Sequence, residues 1–266
     1  MTELTIGTPD MDAAIKAFNE ASGNTEEIET TYPPSNEVVL PGGYVSNDGT
    51  LHKVAEIREL NGADEEALAK AGSPNKALNV ALQRGLVSLG SEPVSPNMLD
   101  GLLIGDRDAI LLGIRAATFG KDTKINFTCT TCMSEQTTTI DITSDIETVE
   151  LEDPVQDRFF SVNAKAGEVL LTLPNGITQK KMLDSDNKTN AELFTDVLSG
   201  CIISVNDVPS MGKSTALNLG MADRELLIAE IVERTPGPRL GEVNKACEAC
   251  GSDVTLSLSL ASLFHL

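Results

Sequence analysis

Two pairs of cysteines constrain the fold of this chain more than any other feature of its sequence. Cys129 and Cys132 form one C-x-x-C pair, and Cys247 and Cys250 form a second pair 118 residues further along. A two-residue spacer lets two thiolates converge on one ion, and two such pairs supply the four ligands of a closed tetrahedral zinc site. We therefore expect one structural zinc per chain, held by all four cysteines, with no open position for a catalytic water.

The sequence around each pair favours a metal site over redox chemistry. A thioredoxin-like pair normally opens a helix after a strand, whereas here strand-like segments lie on both sides of each pair. These segments are 124–127 and 137–140 around the first pair, and 241–243 and 254–258 around the second. We interpret both pairs as β-hairpin knuckles. Redox use or a disulfide stays open as an alternative, although a chain without a secretory signal disfavours disulfides.

More than the cysteines recurs along the chain. Segments 105–114 and 222–231 both predict an amphipathic helix that opens with an acidic residue, where the helix dipole favours negative charge. Two further matches precede these helices: 85–95 with 200–210, and the strand-and-turn segment 39–43 with 172–176. The offset between matched segments drifts from 115 to 133 residues. The pattern indicates two related half-domains, each ending in a cysteine knuckle.

These observations predict an α+β protein with two pseudo-repeated half-domains joined by one shared four-cysteine zinc site. The first half-domain is placed at residues 36–140 and the second at 158–266. Residues 141–157 hold seven acidic and no basic side chains, so we expect a solvated connector. Residues 1–35 are expected to form an N-terminal arm with one helix at 11–21. Because both halves supply ligands, they should fold as one body.

Composition excludes several classes of function. The chain of 266 residues has 20 Lys and Arg against 40 Asp and Glu, a net charge of −20, and 3% aromatic residues with no Trp. Such a surface repels nucleic acids and anionic membranes and favours basic partner surfaces, although solubility alone could account for the charge. Neither a membrane-spanning segment nor a signal peptide is recognisable. We expect a soluble protein, made in a cytoplasm, that binds no nucleic acid, membrane or small-molecule substrate.

No catalytic motif is complete in the sequence. Segment 212–214 resembles the end of a phosphate-binding loop, but that pattern requires glycine at position 207, which is Asp207 here. His52 and His265 are the only histidines, and neither lies in a nucleophile motif. Cys201 stands apart from both pairs and is expected to be a small buried side chain. We predict no enzymatic activity, no catalytic residue and no cofactor-binding residue apart from the zinc ligands.

The order of these motifs resembles the baseplate proteins of contractile-tailed bacteriophages of the T-even type, including their hub assembly proteins. The motifs that carry the resemblance are Leu40-Pro41-Gly42-Gly43, Ile57-Arg58-Glu59-Leu60, 62–66, Leu102-Leu103-Ile104-Gly105-Asp106-Arg107, 115–120, 127–132, 247–251 and 256–260. They cover about residues 36–266. The chain departs from the usual pattern at Met133, because glycine often follows the second cysteine of such a knuckle.

The resemblance implies a non-enzymatic structural component of the tail baseplate, in the hub or wedge region, which resides in the virion after synthesis in the host cytoplasm. It implies other baseplate and tail proteins as partners, with several copies around a symmetric axis. The arm and the connector are the segments expected to contact other subunits. Two alternatives stay open: an assembly factor absent from the finished virion, and a zinc-ribbon module of the transcription machinery. A nucleic-acid ribbon should carry more basic and aromatic residues around its knuckles.

Overall fold

Helices and strands alternate along the chain in the computed structural model, which confirms the prediction of a mixed helical and stranded fold. The structure describes residues 36–46, 48–90, 92–183, 188–241 and 243–266. The arm predicted for residues 1–35, with its helix at 11–21, lies outside the described residues. None of the described helices is long and apolar enough to cross a membrane.

The first part of the chain forms a four-stranded antiparallel sheet and four helices. Its elements are β1 (Asn36–Val45), β2 (Leu51–Ile57), α1 (Gly62–Ala69), α2 (Pro74–Gly85), β3 (Leu86–Leu89), β4 (Glu92–Pro93), α3 (Pro96–Gly101) and α4 (Ile104–Phe119). The strands lie in the order β1-β2-β3-β4. The long helix α4 packs against β1, with Ile110 and Ile114 fully buried between them and the rest of the core.

A long β-hairpin follows α4. Its strands are β5 (Asp122–Thr128) and β6 (Glu135–Asp141), which pair in register from Asp122↔Asp141 to Thr128↔Glu135. The first cysteine pair therefore lies in the turn between them. The short strand β7 (Thr148–Val149) comes next.

The same order of elements then recurs. The second part contains β8 (Phe159–Ala164), β9 (Gly167–Thr172), α5 (Gly176–Leu183), α6 (Asn190–Cys201), β10 (Ile202–Val205), β11 (Val208–Pro209), α7 (Lys213–Asn218) and α8 (Met221–Arg234). Its strands lie in the order β8-β9-β10-β11, as in the first sheet. After α8 come β12 (Gly237–Pro238), the hairpin β13 (Val243–Ala246) and β14 (Asp253–Leu256), and α9 (Leu260–Leu263).

The helices α1 and α5 begin with the same cap. The Asn61 side chain accepts N–H bonds from residues 63 and 64, and the Asn175 side chain accepts them from residues 177 and 178. The predicted match of 39–43 with 172–176 is therefore wrong. Segment 39–43 lies inside β1, whereas 172–176 leads from β9 into α5 and corresponds to the start of α1.

Buried apolar side chains form two cores. The smaller core lies within the second part and includes Leu171, Leu198 and Leu227. The larger core fills the first part and also takes in residues 243–264, among them Leu256 and Leu263. The half-domain predicted at 158–266 thus contributes to both cores.

The acidic connector at 141–157 is partly packed rather than wholly solvated. Ile142 and Ile146 are buried in the larger core. Strand β7 pairs with β12, and the Asp145 carboxylate lies 2.7 Å from the Lys245 ammonium group. This segment therefore attaches to the later part of the chain at several points.

The two parts also meet where α4 and α5 begin. The Ile104 amide donates to the Pro174 carbonyl (3.0 Å), the Gly176 amide donates to the Leu102 carbonyl (2.9 Å), and Leu103 bridges to residue 175. We call this pairing of residues 102–104 with 174–176 the internal junction.

Candidate metal centre

The turns of the two hairpins hold the cysteines in the same backbone geometry. In the first turn the Cys129 amide donates to the Ser134 carbonyl (3.0 Å), and the Met133 amide donates to the Cys129 carbonyl (2.9 Å). The second turn repeats both bonds at residues 247, 252 and 251, each at 2.8 Å. Each turn therefore presents its two thiols in the same way.

The two turns differ at the residue after the second cysteine. Both residues have a positive φ, 58° at Met133 and 73° at Gly251. Glycine adopts this left-handed region freely, whereas a residue with a Cβ atom does so at a cost. The departure noticed at Met133 is therefore accommodated by strain in the first turn, and its side chain is 73% exposed.

The four sulfur atoms lie together. All four Sγ atoms are within 4.8 Å of one another, with 3.8 Å between Cys129 and Cys250 and 3.7 Å between Cys132 and Cys247. A tetrahedral site with metal–sulfur bonds of about 2.3 Å has sulfur–sulfur edges of about 3.8 Å. All four cysteines are free thiols, and each short distance joins one knuckle to the other. The cluster could hold a metal ion with two ligands from each hairpin.

Burial divides the cluster into an inner and an outer side. Cys129 and Cys247 are buried in the larger core, whereas Cys132 and Cys250 are exposed. The inner pair is held by packing, and the outer pair leaves a path by which an ion can enter from solvent.

Two serines line the cluster symmetrically. The Ser252 hydroxyl lies 3.5 Å from the Cys129 sulfur and 3.0 Å from that of Cys250, and the Ser134 hydroxyl lies 3.1 Å from the Cys132 sulfur. Sequence reasoning missed these serines, although the signal was present because both pairs read C-x-x-C-x-S.

The donors around the buried sulfurs favour the thiolate form. The Ser252 hydroxyl, followed by the backbone amides of Cys132 and Thr131, lowers the pKa of Cys129 to about 5. Hydrogen bonds to the charged form stabilise it, and a thiolate rather than a thiol binds a metal. The site is therefore prepared to present a negatively charged ligand.

A glutamine joins the two knuckles directly. The Gln136 side chain, which projects from β6, donates from Nε2 to the Cys247 sulfur (3.0 Å) and accepts the Glu248 amide at Oε1 (3.1 Å). The sequence repeat does not indicate this contact, because Val254 occupies the position in the second hairpin that matches Gln136.

The other residues considered from sequence take no part in this cluster. Cys201 is fully buried in the smaller core, as predicted, and burial raises the pKa of its thiol to about 12. His52 lies on β2 beside Glu92 (3.9 Å), and His265 follows α9 against the Phe119 ring. Gly212 precedes the six-residue helix α7.

Comparison with known proteins gives one match. The family model described as "T4 bacteriophage base plate protein" matches residues 45–209, which is more than half of the chain. The matched region runs from the end of β1 to the end of β11 and includes the first cysteine pair. No curated protein and no solved structure matches the chain. The predicted resemblance is thereby confirmed, and the chain belongs to the T4 bacteriophage base plate protein family.

Proposed function

We propose that this protein is a non-enzymatic structural subunit of a contractile phage tail baseplate. It resides in the hub or wedge region, binds other baseplate and tail proteins, and assists their assembly. The observation that carries this proposal is the family match over residues 45–209. The net charge of −20 suits docking onto basic surfaces, because complementary charge steers encounter and fixes orientation.

The exposed part of the connector is the described segment best suited to such docking. Glu147, Glu150, Glu152 and Asp153 are exposed there, while the neighbouring Ile142 and Ile146 are buried. The carboxylates are therefore displayed on a backbone that the core holds in place.

We further propose that Cys129, Cys132, Cys247 and Cys250 bind one structural zinc ion. The sulfur–sulfur distances suit tetrahedral thiolate coordination, and four protein ligands leave no place for a reactive water. The ion would fasten the hairpin β13–β14 to β5–β6 across more than a hundred residues of chain, so its binding energy would contribute to folding.

We also propose that the chain consists of two pseudo-repeated halves, at about residues 36–140 and 158–266. The shared order of elements and the shared strand order support this proposal. So does the hydrogen bond from threonine to asparagine across each hairpin, Thr137 to Asn126 and Thr255 to Asn244, each at 2.7 Å.

The strongest support comes from the arginine near the start of each long helix. Arg107 donates from one terminal nitrogen to the Leu99 carbonyl (2.7 Å) and from the other to the Asn79 side chain. Arg224 donates in the same way to the Ala216 carbonyl (2.8 Å) and to the Thr195 hydroxyl (2.9 Å). In both halves the acceptors are the fourth residue of the short helix and the sixth residue of the helix before it.

The test of the function is mass spectrometry of purified mature phage particles, with zinc quantified on the recombinant chain. We expect the chain at a fixed stoichiometry in particles and one zinc per chain. Presence only in assembly intermediates would instead make it an assembly factor. A chain that folds and enters particles without zinc would overturn the metal proposal alone.

A further inference from the structure

The internal junction is a head-to-tail contact. It joins the α4 face, which we define as residues 99–107, to the α5 face, residues 174–180. By the correspondence of elements, the second half carries a counterpart of the first surface, the α8 face (216–224), and the first half carries a counterpart of the second, the α1 face (60–66). A head-to-tail contact between two similar halves uses one face of each half, here the α4 face and the α5 face. The α8 face and the α1 face are therefore not paired with each other within the chain.

Close packing defines the internal contact. A Cβ atom on Gly176 would lie 2.4 Å from the Leu99 carbonyl oxygen and 3.0 Å from a terminal nitrogen of Arg107. The Arg107 Nε donates to the Gln179 side chain (2.6 Å), and the Lys180 ammonium lies 2.5 Å from the Asp100 carboxylate. Glycine is therefore required at position 176 by what faces it.

Within the described residues, the counterpart surfaces are open. Gly62 occupies the position of Gly176 at the start of α1, yet a Cβ atom there would meet no described atom within 4 Å. Met221 takes the place of Ile104 and is 80% exposed. Among the backbone hydrogen bonds of the described residues, none uses the amides of Gly62 or Met221, whereas the amides of Gly176 and Ile104 are both bonded across the internal junction.

The two open surfaces also match in charge and shape. The terminal nitrogens of Arg224 donate hydrogen bonds as those of Arg107 do, but the Nε of Arg224 has no hydrogen-bond partner in the described part of the chain. The residue that corresponds to Gln179 is Glu65, an exposed carboxylate on the α1 face. Beside Glu65 lies a groove of about 640 Å³ with apolar walls that include Leu68 and Phe119.

We propose that copies of this chain associate head to tail, with the α8 face of one copy bound to the α1 face of the next. Glu65 then pairs with the free Nε of Arg224 from the neighbouring copy, the amides of Gly62 and Met221 gain carbonyl partners, and Met221 is covered by the groove. This inference rests on the proposed duplication and is independent of the zinc and of the location in the baseplate. Such a contact closes into a ring or continues as a filament, depending on the rotation between copies.

The contact between copies is smaller than the internal one. A Cβ atom on Gly105 would lie 1.6 Å from the Pro236 carbonyl oxygen, and Ala222 stands at the matching position. The helix α4 continues for two residues beyond the point that matches the end of α8, and among the described residues no strand equivalent to β12 follows it. Ala222 therefore meets no such carbonyl. The pair Lys180–Asp100 is also not reproduced, since Glu66 and Leu217 occupy the matching positions.

The test is sedimentation velocity of the full chain over a range of micromolar concentrations. We expect concentration-dependent oligomers for the wild type and at least about tenfold weaker association for Glu65→Lys and for Met221→Asp. Glu168→Lys and Val208→Asp change exposed residues outside both faces and should associate like the wild type.

Mixing the two variants identifies the geometry. Glu65→Lys blocks only the α1 face and Met221→Asp blocks only the α8 face, so an equimolar mixture should form a dimer and nothing larger. A wild type that stays monomeric, variants that associate normally, or a mixture that stays monomeric would each overturn the proposal.

A glycine pair tests the duplication separately. Gly176→Ala should lower the Tm by about 5 °C, because the internal junction cannot admit the methyl group. Gly62→Ala should leave the Tm within about 1 °C and still weaken association. If Gly176→Ala is harmless, the template drawn from the internal junction is wrong, whatever the oligomeric state proves to be.

Discussion

The long helices α4 and α8 occupy the same place in the recurring order of elements but differ in what covers them. Arg115 of α4 is buried and donates to the carbonyl of Leu263, the hydroxyl of Thr123 and the carbonyl of Gly120. The matching residue of α8 is Val232, which is 61% exposed. The later hairpin and α9 therefore complete the first core, while the second core closes with its own elements. Similar local folds thus depend on different parts of the chain.

The largest expected effect comes from removing one ligand of the proposed zinc site. Cys129→Ser or Cys247→Ser should abolish stoichiometric zinc binding and lower the free energy of unfolding by about 4 kcal/mol or more. Denaturant unfolding and zinc quantification measure both effects. Cys201→Ala is the matched control, because it removes a thiol outside the cluster and should leave zinc at one per chain. Full zinc occupancy in Cys129→Ser would contradict the shared site.

The next effect separates the two long helices directly. Arg115→Met removes the hydrogen-bond donor to one buried hydroxyl and two carbonyls, so we expect the free energy of unfolding to fall by about 2–3 kcal/mol. Val232→Met changes the matching exposed position and should alter stability by less than about 0.5 kcal/mol. Urea unfolding of the two variants compares them. Equal effects would show that α9 does not support the first core.

The matching aspartates of α4 and α8, Asp106 and Asp223, can be compared through the pH dependence of stability. Burial raises the pKa of Asp106 to about 7, and one of its carboxylate oxygens has no hydrogen-bond partner among the described residues, whereas Asp223 accepts two amides at 3.0 Å. Ionising Asp106 therefore costs more in the folded than in the unfolded chain. This cost is absent below about pH 4 and complete above about pH 7, so stability falls as pH rises through that window.

The corresponding variant is Asp106→Asn. It should remove this part of the pH dependence, about 3 kcal/mol between pH 4 and 7, as measured by Tm across that range. The bond that Asp106 accepts from the Gly42 amide (2.7 Å) can still be accepted by the amide oxygen. A wild-type slope that persists in the variant would assign the effect to other groups.

The smallest expected effect lies in the first cysteine turn. Met133→Gly removes a side chain from a residue with φ of 58° and should raise stability by about 0.5–1 kcal/mol. The reverse change in the second turn, Gly251→Met, should lower it by a similar amount. Thermal unfolding of the zinc-loaded chain measures both, and a destabilised Met133→Gly variant would contradict the strain at this position.

The cysteine cluster and the long helices could be predicted because their signals are local. Two C-x-x-C pairs bring ligands together through short spacers, and the acidic openings of α4 and α8 mark their starts. The hydroxyls near the sulfurs were also visible as C-x-x-C-x-S, but only their distances show that they contact the sulfurs.

Other features could not be read from sequence for physical reasons. Gly42 and Gly43 resemble a turn, yet they lie at a register irregularity inside β1, where Gly43 has φ of 69°. A bulge and a turn both require a residue that tolerates positive φ, so the sequence does not separate them. Apolar periodicity likewise shows that the leucines of residues 256–263 face a core, without showing that this is the first core.

The separation of the two cysteine pairs along the chain sets an order of events during synthesis. A ribosome adds about 5–20 residues per second, so the first pair emerges roughly 6–24 s before the second. During that interval Cys129 and Cys132 have no partner thiols, and α4 lacks the cover that residues 243–263 provide. A chain that stops short of the second pair can complete neither the cluster nor the larger core. The cluster and the larger core therefore both form only after the later hairpin has been synthesised.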